Sequence, residues 1–328
     1  MVNKTGYFNL KNIIMERIKA KGGWVNCHAH IDRAYTLTAD NFKYTDTVYQ
    51  DQKKWAIVDE LKRTSTALQI YDRMAAAIED MISQGVTGLT TFIDVDENIK
   101  DKSIQAAIKI RGKYGKDLAI KYLNHVKMGV LKPEARKWFE MGAEFADIVG
   151  SMLNTDPGQN PQHLDVVMET AKRLNKMVHV HVDQHNTVAE KETELLADKT
   201  IEHNMQGKVT AIHSISLAAH PKNYRQMVYQ KMKQSGIMVV SCPTSHIDSS
   251  RGEELLPKHN SITPVDELIP EGIVVGLGTD NFADITVPFT NGDMWEELKL
   301  LMTVCGMRNL DLAVDIATVN GRKIIGIK

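Results

Sequence analysis

Cysteine is scarce: Cys27, Cys242 and Cys305 are the only three in 328 residues, and no two form a C-x-x-C pair. That excludes a zinc-ribbon pattern and gives no basis for a disulfide framework, which fits a reducing, cytoplasmic setting. Excess charge is absent too. Forty basic against forty-one acidic residues leave a formal net charge of −1, without the positive field that nucleic acid or an anionic membrane surface requires. No stretch approaches the ~20 apolar residues of a membrane span. The N-terminal MVNKTGYFNLKNIIMERIKAKGG never sustains the apolar run of a signal peptide. What these absences leave as partner is a small molecule, neutral or mildly charged; a homo-oligomer is compatible with all of them.

Other signatures are missing as well. There is no H-E-x-x-H helix, no P-loop and no P-C-x-x-C partner of the nucleic-acid deaminases. The G-L-G at 276 to 278 precedes Asp280 and not a glycine-rich helix start, so it is no dinucleotide fingerprint. No Pro/Gly/Ser-rich linker, low-complexity tract or tandem repeat divides the chain, so residues 1–328 read as one domain.

What is present is a rhythm. Eight short apolar runs recur at 23–30, 86–95, 118–126, 147–152, 177–182, 209–214, 237–243 and 274–280. Stretches with helical periodicity, such as QAAIKIRGKYGK and LDVVMETAKRLNK, separate them. Strands buried on both faces read as such continuous runs, and eight alternations favour an α/β fold, a (β/α)₈ TIM-type barrel, over a doubly wound open sheet. The amphipathic segment around residues 8–20 makes residues 1–23 an N-terminal helical extension that covers apolar barrel surface.

Histidines stand at the strand ends, where barrel enzymes carry their chemistry. His28 and His30 are two residues apart, so the strand period points both imidazoles to one face. His181 ends the fifth run, His213 the sixth, and Asp280 the eighth, where Gly276 and Gly278 on the same face leave room beneath it. A barrel gathers these ends into one mouth. Imidazoles and a carboxylate together suit one divalent ion, zinc first, with iron or manganese as alternatives. His179 shares a face with His181 but lies one layer deeper, and reads as a hydrogen-bonded core histidine.

Taken in order, NCHAHIDR, VHVHVDQ, AIHS and GLGTDN resemble the signature of the amidohydrolase superfamily. HAHIDR, SCPTSHID and TDNFADITVPFTNGDM resemble its cytosine deaminase-like branch, and the likeness runs from residue 24 onward. The resemblance implies that His28, His30, His181 and Asp280 bind one metal and that His213 stands beside the water to be activated. The fourth run, DIVGSMLN, lacks the modified lysine of dinuclear members, which favours a single ion. Where the branch carries a proton-shuttling glutamate this chain has Gln184, and an amide cannot take up and return a proton at neutral pH. The branch's ring-reading glutamine on the third strand has no clear match in KYLNHVKMG, so cytosine itself is disfavoured.

The resemblance implies that proton transfer falls to His213 with Asp280, while Arg33, Asn281 and His246, with Ser245 a weaker candidate, are the residues for substrate contact. Their bland alternatives are a rim ion pair for Arg33 and loop capping for Asn281. The activity implied is hydrolysis of a C–N bond in a small nitrogen heterocycle, cyclic amide or related amine-bearing compound. The competing reading is a non-catalytic metal- or ligand-binding barrel in which Gln184 marks lost catalysis. Many branch members add a β-sandwich for which this sequence has no segments; it reads as a barrel-only member or a fragment. The long segment from His246 to about Pro270 is expected to close over the mouth.

Overall fold

The computed structural model describes residues 9–45, 52–125, 127–248 and 261–328. Eight parallel strands run in chain order: β1 (Trp24–Asn26), β2 (Val86–Asp94), β3 (Ala119–His125), β4 (Val149–Met152), β5 (Val178–Val182), β6 (Val209–His213), β7 (Met238–Ser241) and β8 (Val275–Leu277). They form two arcs, β1-β2-β3 and β4 through β8. Parallel bridges Leu123–Ile148 and Ala29–Asp280 join the arcs at both seams. The result is the (β/α)₈ barrel, and among the described residues every strand belongs to it.

The helices are α1 (Leu10–Ala20), α2 (Gln52–Thr64), α3 (Ala67–Ser83), α4 (Lys102–Tyr114), α5 (Pro133–Phe145), α6 (Asn160–Leu174), α7 (Glu192–Glu202), α8 (Lys222–Ser235), α9 (Pro243–Ile247), α10 (Val265–Leu268), α11 (Met294–Val304), α12 (Leu310–Ala317) and α13 (Val319–Ile325). None among the described residues is long and apolar enough to cross a membrane. Local sequence explains their limits. In α3, Thr66 Oγ1 accepts from the Gln69 amide while Gln69 Oε1 accepts from the Thr66 amide, a capping box that satisfies two otherwise orphaned donors. Its buried side chains, Ile70, Met74, Ala77, Ile78 and Met81, recur at helical spacing and face the strands.

Alternation along the strands sorts side chains into two layers. Val178, Val180, Val209, Ala211, Val239, Val275 and Leu277 pack outward with the helices. Val25, Cys27, Ile212, Met238 and Val240 fill the interior together with Ile324 and Ile325 of α13, which therefore plugs the bottom of the barrel. The N-terminal helix α1 buries Ile14 and Ile18, and ion pairs from Arg17 to Asp311 and from Lys21 to Asp315 fix it alongside α12.

Candidate active site

The mouth is built where β8 meets β1. Regular strand ends at Asn26, so His28 and His30 lie just past β1 and not within it. Cross-seam bonds nevertheless keep them in register: Cys27 N donates to Leu277 O (2.8 Å), Asp280 N to His28 O (3.0 Å) and His30 N to Asp280 O (3.1 Å). As a result the Nε2 atoms of His28 and His30 stand 3.2 and 3.4 Å from Asp280 Oδ1. Space for this comes from Gly278, where an added Cβ would lie 2.8 Å from His28 Cβ and 2.9 Å from Cys242 Sγ.

His181 reaches the same point from β5, with its ring 4.8 Å from that of His28. Its Nδ1 donates to the Ser151 carbonyl on β4 at 3.1 Å, which leaves Nε2 for a ligand. His213 comes by a different route. In regular strand it would share the outward face of Val209 and Ala211, but its φ of +82°, followed by +53° at Ser214, swings the ring into the mouth. Such torsions persist only when neighbours hold them. Thr263 Oγ1 donates to His213 O at 2.6 Å, and Ser214 N donates to Val182 O at 3.1 Å. The His213 Nε2 atom lies 4.0 Å from Asp280 Oδ2, and its Nδ1 shares a 2.7 Å hydrogen bond with His246 Nε2.

Donor atoms of His28, His181 and His213 lie within 4.8 Å of one another, as do those of His28, His30 and Asp280. The Nδ1 atoms of His28 and His30 are buried without a hydrogen-bond partner among the described residues, and the His28 Nε2 faces the Asp280 carboxylate. Buried imidazole nitrogens are normally satisfied. This set of orphaned imidazoles around a carboxylate therefore fits a divalent ion. Burial, with the neighbouring imidazoles, drives His30 and His181 well below their usual titration range, into the neutral form that ligates metal. Burial likewise pushes His213 down to about 4. For Asp280 burial opposes ionisation, yet contact with His28 and the imidazoles of His213 and His181 hold it well below the ordinary carboxylate range.

The other sequence-derived residues fall around this cluster. Gln184, Ser245 and His246 border a cleft with His213, Asp280, Ile215 and Val287. Arg33 is buried between carboxylates, its Nε 3.4 Å from Asp284 Oδ2 and its Nη1 3.8 Å from Asp94 Oδ2. The Asn281 Nδ2 is committed to Asp284 and to Thr286 Oγ1 (3.0 Å), which is loop architecture and not an open donor. His179 Nε2 lies 3.1 Å from the Ile324 carbonyl, in the plug below the mouth. Of the long segment after β7, residues 249–260, with Leu255 and Leu256, lie outside the described residues; its flanks form α9, which carries His246, and α10.

One group at the mouth was not singled out by the sequence reading. His125 ends β3 with its ring 5.1 Å from that of His30 and 5.5 Å from that of His181. Its Nδ1 is 2.7 Å from Asp94 Oδ1, and Asp94 in turn lies 2.9 Å from the buried ammonium of Lys62. Burial outweighs the Asp94 contact and pushes His125 down to about 4. Asp94 itself stays well below the carboxylate range, because Lys62 and Arg33 overcome the effect of burial. The available signal was position alone: His125 closes the third apolar run as His181 closes the fifth.

Comparison with known proteins agrees with this architecture. An uncharacterized protein of Haemophilus influenzae is 46% identical over 269 residues, covering 80% of this chain and 96% of its own length. N-isopropylammelide isopropyl amidohydrolase of a Pseudomonas species is 26% identical, over 97% of this chain and 79% of that protein. The crystal structure of 5-methylcytosine deaminase from Klebsiella pneumoniae with 5-fluorocytosine superposes with a TM-score of 0.85 at 23% identity, covering 93% of this chain and 74% of the other. Residues 22–328 match the Amidohydrolase family. With its histidine–aspartate mouth at the C-terminal ends of a parallel barrel, the chain belongs to the amidohydrolase family, hydrolases of carbon–nitrogen bonds.

Proposed function

We propose that this hydrolase acts on a small nitrogen heterocycle, cyclic amide or related amine-bearing compound, with one divalent ion held by His28, His30, His181 and Asp280. The observation that carries the reading is the placement of His213 Nε2 opposite Asp280 Oδ2 at 4.0 Å, beside those donors. Both atoms can engage one water. A divalent ion in that cluster supplies the Lewis acidity that makes water a nucleophile at neutral pH, zinc being the ion the donor set suits best.

The protein's own groups then manage protons and position. Asp280, an ionised acceptor, takes a proton from the attacking water and returns it to the departing nitrogen. As the water oxygen bonds to the ring or carbonyl carbon, the C–N bond breaks and the amine leaves carrying that proton. His213, braced by His246, orients the water and opposes the charge growing on the attacked group. Gln184 offers hydrogen bonds and no proton transfer. Arg33 and the loop held by Asn281 frame the substrate side. The kinship with an isopropylammelide hydrolase and the barrel shared with a 5-methylcytosine deaminase support this substrate class.

The test is release of ammonia or amine from a panel of amino-heterocycles and cyclic amides by metal-reconstituted protein. We expect turnover of at least one compound, and a loss of about 10²–10⁴ in His213→Ala with metal content retained. No turnover across the panel, or full turnover by metal-loaded His213→Ala, refutes the assignment.

A further inference from the structure

A serine, a histidine and an aspartate stand in line within the barrel wall, and the chemistry above makes no use of them. Ser151 shares the outward face of β4 with Val149, and its Oγ lies 2.5 Å from His163 Nε2 on α6. The His163 Nδ1 in turn lies 2.7 Å from Asp156 Oδ2. With exposures of 3%, 1% and 5%, Ser151, His163 and Asp156 are sealed between strand and helix, so the serine is no nucleophile open to substrate. Asp156 is held from a second side. Val130 N donates to its Oδ2 at 2.7 Å, and Gly129 packs so closely that an added Cβ would lie 2.3 Å from Oδ1. Burial opposes ionisation of Asp156, yet the hydrogen bonds from His163 and the Val130 amide hold it below the ordinary carboxylate range. An ionised carboxylate only accepts, so His163 Nδ1 carries a proton and Nε2 is left to accept from the Ser151 hydroxyl.

Ser151 has a further partner on the other side of its peptide. Its carbonyl accepts from His181 Nδ1 at 3.1 Å. The ladder from β4 to β5 ends one residue on, at the Met152–His181 pair, so this carbonyl stands at the end of the sheet and is tied to the helix layer through the serine side chain. Resting on the assignment of His181 as a metal ligand, we propose that the Asp156–His163–Ser151 array is the brace that readies His181 for the ion. By fixing the Ser151 peptide it keeps His181 in the Nδ1–H tautomer, with Nε2 turned to the cluster. All three are positioning residues. Outer partners of ligating histidines are worth about 10- to 100-fold in metal affinity, which sets the size of the effect.

Two measurements test this together: zinc affinity by chelator competition, and long-range ¹H–¹⁵N NMR of the histidine-labelled, metal-free protein. In the wild type His163 and His181 should both be protonated on Nδ1. His163→Leu should populate the Nε2–H form of His181 and weaken zinc about tenfold or more. His163→Gln, whose amide oxygen can accept from Ser151, should recover most of that affinity. Ser151→Ala, which removes one oxygen and so spares the packing, should match His163→Leu. The double variant should lose no more than either alone, as residues acting through one chain of bonds do.

An Nε2–H tautomer at His181 or at His163 in the metal-free wild type overturns the proposal, and that result needs no variant to fold. So do additive losses in the double variant. A fall in thermal stability with His181 tautomer and zinc affinity unchanged overturns it too, because the array is then packing alone. The two readings fail separately. Full zinc affinity in His181→Ala refutes the metal-ligand assignment itself, whereas zinc loss in His181→Ala with wild-type affinity in Ser151→Ala refutes this inference alone.

Discussion

Gly278→Ala places one methyl group beneath the donor cluster and tests whether the room there is needed. The new Cβ would sit 2.8 Å from His28 Cβ and 2.9 Å from Cys242 Sγ. Carbon atoms in contact rest about 3.5–4.0 Å apart, so one neighbour has to yield by roughly 1 Å. Gly278 is not among the glycines with positive φ, so alanine meets no backbone penalty and the effect is purely steric. Cys242 is packed among Val25, Val240 and Ile324, and the new Cβ also lies 3.1 Å from the His28 backbone N, so relief displaces the His28 backbone together with its ring. In the metal-free protein His28 relieves the overlap by shifting away from Asp280. Metal binding must reverse that shift, so it bears an overpacking strain of about 1–3 kcal/mol. That corresponds to roughly a 5- to 150-fold weaker metal dissociation constant, at 1.4 kcal/mol per factor of ten. Competition with a chelator of known affinity, read by elemental analysis, measures it. Wild-type metal affinity together with wild-type thermal stability would refute the steric account of this glycine.

Gln184→Ala should weaken catalysis less than His213→Ala, and Gln184→Glu should raise deamination of an amino-heterocycle; a loss of deamination in the glutamate variant counts against the shuttle analogy. Lys62→Met leaves Asp94 and Asp96 buried without the ammonium that lies 2.9 Å from each, and should destabilise by about 3–5 kcal/mol in urea titration. An unchanged midpoint would mean the pair contributes nothing. Burial pushes the Glu297 carboxyl up to about 8, so the folded state holds a proton that the unfolded chain has released. Stability of the metal-free protein should therefore fall as pH rises from the ordinary glutamate range near 4.5 towards 8 and level off above it. Glu297→Gln should remove that slope, with a gain on the order of 3 kcal/mol at pH 7; parallel pH profiles for the two proteins would sink the idea.

Much of the barrel was legible because its strands are buried on both faces, and burial writes itself into sequence as unbroken apolar runs. Each of the eight runs contains one observed strand. His28, His30, His181 and Asp280 were legible for the same reason, since strand ends at one rim must converge. His179 was legible as a deeper layer through the period of two, and the Ile324 carbonyl is its partner. His213 was not legible from period, because that rule points it outward with Val209 and Ala211. Only a left-handed torsion, braced by Thr263 fifty residues on, brings it in. His125 gave a positional hint, but its significance rests on Asp94 and Lys62, brought to it from other strand and helix ends. Asn281 illustrates a different case: beside the key aspartate, sequence left it open between ligand contact and loop capping, and its amide nitrogen is engaged within a short polar loop.

The plug formed by α13 bears on how the molecule assembles. Ile324 and Ile325 fill the interior beside Val25 and Cys27, and an added Cβ at Gly321 would lie 2.7 Å from Val25 Cβ. The first strand thus finds part of its packing on residues almost three hundred positions later. Contacts of such long sequence separation close late and slow folding, since the loop entropy must be overcome before they contribute. During synthesis β1 and β2 leave the ribosome long before α13 exists. A barrel halted short of α13 leaves inward-facing apolar side chains unfilled, the kind of surface that draws chaperones or aggregates. The interior beneath the histidine–aspartate cluster is therefore among the last parts to become native, and the cluster gains its rigid footing only when the chain has emerged through α13.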